Sequence, residues 1–179
     1  MFFISDILTS TPEKYLTKLQ EKTYETLENL QISFERVNTD EAISMEDCIE
    51  INEKLNVNMV KTLFLCNRQQ TQFYLLITTA DKQFKAKDFS NQLGISRVSF
   101  ASADQLEHLI GVKVGAATIF GVLLDKDQFI QVVIDEDIVA QEWYGCSDGT
   151  TTGYMKIRTS DVTHKLLPYT DHLPKVIQI

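Results

Sequence analysis

The chain has 179 residues, 44% of them hydrophobic and 23% charged, with 7 Gly and 3 Pro, a composition that excludes a disordered, low-complexity or fibrous chain and predicts one domain over residues 1–179. A formal net charge of −8 argues against a global attraction to nucleic acid and leaves only a local basic face for that role. No apolar run approaches the roughly 18 residues that cross a bilayer, and the start, Met1-Phe2-Phe3-Ile4-Ser5-Asp6, lacks a basic n-region, so the expectation is a soluble, cytoplasmic protein.

Thr11-Pro12 reads as a helix cap with proline in the first turn, and Leu16, Leu19, Thr23, Leu27 and Leu30 recur at helical steps, predicting an amphipathic helix of about five turns. Ile32 to Val37 alternates apolar and polar residues, as a half-buried strand does. Ser44 caps a second helix with Glu46 and Asp47 in its first turn, running to about Leu55. Met59 to Cys66 and Gln72 to Thr78 are apolar runs separated by a polar turn, a hairpin of two central strands. A short helix is expected over Ala86 to Leu93, and Ser102-Ala103-Asp104-Gln105 has capping-box spacing for another that stops before Gly111. Thr118 to Leu124 and Phe129 to Ile134 flank Asp125-Lys126-Asp127 as a further strand–turn–strand unit. Tyr154 to Arg158 reads as a last strand, followed by a closing helix from Val162 to Leu167 stopped by Pro168. Together these predict a mixed α/β fold: a largely antiparallel sheet with packed helices.

Charge is unevenly spread. Residues 1–53 carry 12 acidic and 4 basic side chains and residues 98–179 carry 11 and 6, whereas residues 54–97 carry 2 and 7. Lys54, Lys61, Arg68, Lys82, Lys85, Lys87 and Arg97 therefore form either a phosphate-facing patch or a solvated basic surface. Cys48, Cys66 and Cys146 fit neither a disulfide framework nor paired zinc ligands, so free thiols and no metal are expected. His108, His164 and His172 read as surface or packing residues, and the Asp104/Glu107 and Asp125/Asp127 pairs are explained by a helix start and a turn. No P-loop, dinucleotide fingerprint, zinc-protease helix or nucleophile elbow is present.

Two features stand out. Lys61 begins an otherwise apolar strand, where it must snorkel, pair or face a cleft. The run from Gly145 to Gly153 gathers small and hydroxylated residues suited either to presenting amides and hydroxyls to a ligand or to a plain turn.

Val60 to Arg68, the Phe73-Tyr74-Leu75-Leu76 strand, Ile95 to Ala101, the Gly111 to Gly121 loop and the small-residue loop together resemble the YbaK/ProX superfamily of aminoacyl-tRNA deacylases, and within it the PrdX branch, relatives of the editing insertion of bacterial prolyl-tRNA synthetase. The likeness runs in order over about residues 22 to 170. It implies hydrolysis of mischarged tRNA for proline, foremost alanyl-tRNA, without metal or other cofactor. The implied partners are the acceptor end of that tRNA and, as an open alternative, prolyl-tRNA synthetase.

By resemblance, Lys61 contacts the tRNA terminus and Gly115 lies in the loop that approaches the aminoacyl ester. Ile43 and Met45 lie where the family builds part of the amino-acid pocket, and Ala116, Thr118, Gly145 and Thr151 complete the expected substrate-binding set. Many relatives carry His-Pro where this chain has Ser147-Asp148, and a Ser-Pro missing from Gly115 to Phe120. Ser147 or Asp148 is accordingly expected to orient the attacking water, with amides near Gly115 and Ala116 polarising the carbonyl. Three alternatives stand beside this reading: a deacylase of cysteinyl-tRNA for proline, a catalytically silent tRNA-binding or regulatory module, and a small-molecule ester or amide hydrolase.

Overall fold

The computed structural model describes residues 1–42 and 44–179, with Met45 described in its backbone alone. Helix α1 (Lys18–Asn29) starts later than the Thr11-Pro12 signal predicts, because Thr17 supplies the cap, its hydroxyl accepting from the Gln20 amide. Leu16 stays exposed outside the helix, while Leu19, Tyr24 and Leu27 form the buried face. Strand β1 (Glu35–Asn38) follows, then α2 (Met45–Leu55), where Ser44 and Asp47 close the capping box.

β2 (Val60–Asn67) and β3 (Phe73–Thr79) form the expected antiparallel hairpin. α3 (Ala86–Leu93) packs Phe89 beneath it, and β4 (Val98–Phe100) pairs antiparallel with the far end of β2. α4 (Ala103–Ile110) carries the expected Ser102–Gln105 capping box and ends at Gly111, whose φ of 68° is the left-handed conformation that glycine adopts without strain.

The stretch expected as a strand at 118–124 is instead a 3₁₀ helix (Ile119–Leu124), capped by the Thr118 hydroxyl. Its residues are apolar on every side, a pattern that fits a buried helical turn as well as a buried strand. Packing decides: Gly121 lies so close to α4 that a β-carbon there would stand 2.7 Å from Cβ of Ile110. The predicted second hairpin is therefore absent, and β5 (Ile130–Asp135) adds in parallel to β3. α5 (Glu136–Val139) leads to β6 (Trp143–Ser147), which takes up residues expected in the small-residue loop and reduces that loop to 148–152 before β7 (Gly153–Arg158). Residues 159–169 are helical, passing through a π turn, with Pro168 in the last helical turn rather than after it. β8 (Lys175–Ile177) pairs in parallel with β5.

The strands form two sheets, a three-stranded one in the order β1-β7-β6 and a five-stranded one in the order β4-β2-β3-β5-β8. An isolated parallel bridge from Met59 to Gly145 links them. Phe64, Leu75, Ile77 and Val132 from the larger sheet meet Tyr144, Met155 and Ile157 from the smaller one beneath α1. β3 is buried on both faces, which accounts for its continuous apolar run. No helix among the described residues is long and apolar enough to cross a membrane.

The Gly121 contact yields a test of this core. Gly121→Val forces a branched side chain into Ile110 and is expected to cost about 1–3 kcal/mol, read as a lowered thermal midpoint.

Candidate active site

A cavity of about 530 Å³ opens where the two sheets part, within the range of about 300–1,000 Å³ usual for small-molecule sites. Lys61 and Thr62 enter it from β2, Gly115 and Ala117 from the loop after α4, and Cys146 and Ser147 from β6. Gly115 has a φ of 92°, so a side chain there would be strained even though the space beside it is open. The amides of Gly115 and Ala117 have no acceptor among the described residues. Ala116, expected as a donor to substrate, is buried beside the cavity, and its amide donates to the Lys113 carbonyl to close a turn. Thr118 is wholly buried and donates its hydroxyl to the Ser147 carbonyl at 2.7 Å, tying the loop to β6 rather than meeting a ligand.

Lys61 is half-buried, and its ammonium donates to the main-chain carbonyl of Lys82. Lys82 is itself held: its Nζ lies 2.8 Å from Asp135 and 2.7 Å from Asp137, and the Thr78 hydroxyl also donates to Asp135. Burial pushes the Asp135 carboxyl up, but the hydrogen bonds from Lys82 and Thr78 outweigh it and hold the group below the usual carboxylate range. A buried anion thus fixes the carbonyl that receives Lys61.

Asp148 does not line the cavity. Its carboxylate is 1% exposed and accepts four hydrogen bonds: from Gln20 Nε2 at 2.9 Å and Tyr24 OH at 2.8 Å on one oxygen, and from the Thr150 amide at 3.2 Å and hydroxyl at 2.7 Å on the other. A carboxylate offers about four lone-pair sites, and all are taken, so no valence is left to orient water. Burial, then the Asp148 charge, holds the Tyr24 phenol far above its ordinary value, so it remains a donor at neutral pH. Ser147 does line the cavity, yet its hydroxyl donates to the Thr150 carbonyl at 2.6 Å and accepts from the Gly149 amide. Gly145 lies against Val57 and Met59, and the Thr151 hydroxyl donates to Glu41; neither residue itself lines the cavity, though each touches residues that do. Ile43 lies outside the described residues, as does the side chain of Met45.

The cavity wall includes groups that the sequence did not mark. Cys48, Cys146 and Tyr154 face it, and Phe100 and Val114 stand exposed at its rim. Burial raises both thiols, with Asp47 adding to the effect at Cys48, so neither is a thiolate nucleophile at neutral pH. No Asp, Glu or His is among the described residues lining the cavity. His108 and His164 are exposed, while His172 is buried against Asp125 at 2.8 Å. Among the described residues no group of three His, Cys, Asp or Glu side chains converges as a metal site would require.

The basic segment divides. Lys54 and Lys82 lie beside acidic partners, whereas Lys85, Lys87 and Arg97 are exposed without an ion pair among the described residues, around α3 and the start of β4. Phe84 and Phe100, with ring centroids 5.6 Å apart, connect that side to the cavity rim.

Among the described residues, the cavity of this mixed α/β fold is lined by one lysine and by main-chain amides without an acceptor, and by no carboxylate or imidazole. Residues 39–164 match the aminoacyl-tRNA editing domain family, and the chain belongs to that family. It is 30% identical over 115 residues to the prolyl-tRNA editing protein ProX of Acetoanaerobium sticklandii, covering 64% of this chain and 70% of that one. Among solved structures, a candidate trans-editing enzyme for prolyl-tRNA synthetase shares the fold with a TM-score of 0.65 at 14% identity, covering 92% of this chain and 98% of that one. A hypothetical protein gives a TM-score of 0.65 at 18% identity, covering 88% and 97%.

Removing the buried anion tests its structural role. Asp148→Ala strands the Gln20, Tyr24 and Thr150 donors and is expected to lower stability by at least about 3 kcal/mol in denaturant unfolding.

Proposed function

We propose that residues 1–179 form one deacylase domain that acts in trans, in the cytoplasm, on mischarged tRNA for proline, with alanyl-tRNA as the preferred substrate. The observation that carries this reading is the meeting of Lys61 and Gly115 across one cavity, with amides at Gly115 and Ala117 free to donate. Family membership and the ProX relative support the substrate class.

In this mechanism Lys61 exchanges the Lys82 carbonyl for the terminal phosphate or ribose of the tRNA. The Gly115 and Ala117 amides donate to the ester carbonyl and stabilise the oxyanion that forms when water adds. The tetrahedral intermediate then collapses, the ribose oxygen leaves with a proton from that water, and free alanine and tRNA separate. An aminoacyl ester is activated and the neighbouring ribose hydroxyl helps to position the water, so holding the group in place supplies much of the rate. Selectivity follows from size: a proline site admits alanine because lost methylenes cost only about 1–3 kcal/mol, and a second, smaller cavity reverses that preference. Lys85, Lys87 and Arg97 supply the phosphate-facing surface on this otherwise acidic protein.

One observation favours a second reading, a silent tRNA-binding module: the Ser147 hydroxyl and the Asp148 carboxylate are both spent within the fold. Incubation with alanyl-, cysteinyl- and prolyl-tRNA for proline separates the two. Loss of the alanyl ester is expected, whereas binding without turnover on all three establishes the silent module, and faster loss of cysteine than alanine moves the preference to that residue. Lys61→Ala is expected to cut turnover roughly 100-fold at unchanged thermal midpoint. In a separate measurement, tRNA affinity is expected to fall steeply between about 50 and 200 mM salt, with a shallower slope in a Lys85→Glu, Lys87→Glu double variant; an affinity flat in salt points to a small-molecule esterase.

A further inference from the structure

The outer edge of β2 is shared between two partners. At its start Met59 bridges Gly145 of β6, and from Phe64 onward the Ala101 amide donates to the Phe64 carbonyl and β4 pairs with residues 65–67. Thr62 lies between them. Residues two apart in a strand send their N–H and C=O to the same side. Both main-chain groups of Thr62 therefore leave the strand on the side where Phe64 meets Ala101, away from β3. Thr62 lines the cavity, and among the described residues no strand pairs with it on that side, β4 pairing only with residues 65–67 and the bridge to β6 lying at Met59.

We propose that this one-residue gap in the β2 edge is the seat of the aminoacyl group, an inference that rests on the deacylase reading above and adds the residue that grips its substrate. The Thr62 carbonyl accepts from the α-ammonium, and the Thr62 N–H donates to the ester carbonyl from the side opposite Gly115 and Ala117. An amino acid presents its ammonium and its carbonyl oxygen on one side when extended, so it completes the sheet edge as a single antiparallel residue, the smallest form of strand addition. The charge on the substrate makes such a carbonyl necessary. An ammonium entering an apolar cavity needs acceptors. None of the described lining residues is a carboxylate, and Asp148 behind the cavity has no lone pair to spare.

The ¹⁵N-labelled full chain titrated with 3′-alanylamido-3′-deoxyadenosine, a non-hydrolysable mimic of the charged tRNA end, tests this directly. The Thr62 amide is expected to shift together with those of Gly115 and Ala117. Shifts at Gly115 and Ala117 with Thr62 unmoved overturn the gap as the aminoacyl seat and leave the deacylase reading standing. No shift at any of the three, with no ester loss from alanyl-tRNA by the wild-type protein, overturns both. Thr62→Pro deletes this N–H at an edge position that tolerates proline. Turnover is expected to drop roughly 100-fold at unchanged thermal midpoint. A folded Thr62→Pro protein with wild-type turnover overturns the inference, and if that variant does not fold the titration decides alone.

Discussion

A carboxylate buried to 1% exposure is stable only when its lone pairs are met, and at Asp148 they are met from two directions: by Gln20 and Tyr24 on α1 and by Thr150 on its own turn. That anchor fixes the end of β6 against the first helix. Ser147, one residue before it, receives the Thr118 hydroxyl, and Thr118 in turn sets the end of the loop carrying Gly115. The geometry of the cavity therefore depends on a charge that never touches its contents. Gly153 is small for the same reason, since a β-carbon there would fall inside the Asp148 carboxylate.

Around the cavity much of the polarity comes from the backbone. Lys61 is the one cation among the described lining residues, and it is held in reserve against a carbonyl whose own residue is clamped by Asp135 and Asp137. Beside the thiols of Cys48 and Cys146 and the hydroxyls of Thr62, Ser147 and Tyr154, the amides of Gly115 and Ala117 are main-chain donors at the cavity, joined in the proposal above by the N–H and C=O of Thr62. Such groups keep their direction without side-chain rotamers to order, which is the kind of preorganisation that stabilises a developing oxyanion.

Local signals were legible in the sequence. Ser44 and Ser102 cap their helices where expected, and the two apolar runs around Asn67 pair as a hairpin. Lys61 and Gly115, the two positions the resemblance singled out, line one cavity. What was not legible depends on distant partners. Residues 119–124 are apolar all round, a pattern that does not separate strand from helix, and their helical turn is seen only with the Thr118 cap and the fit of Gly121 against Ile110. The small residues of β6 hid a strand because their pairing with β7 is a matter of register, not composition. In sequence Asp148 reads as a group to orient water because the donors that fill its lone pairs lie partly on α1, far away along the chain. The opening at Thr62 has no signature at all, since an unpaired edge is a property of where neighbouring strands stop.

The bridge between Met59 and Gly145 is the single strand contact joining the two sheets among the described residues. Beyond that bridge no strand pairing among the described residues joins the sheets, and the cavity between them is lined in part by the apolar side chains of Leu106, Val114 and Ala117. Exchanging these alters how large a guest fits while the fixed backbone donors are inherited intact. On the deacylase reading proposed above, the amino acid accepted would thus be free to change over evolutionary drift before the chemistry does.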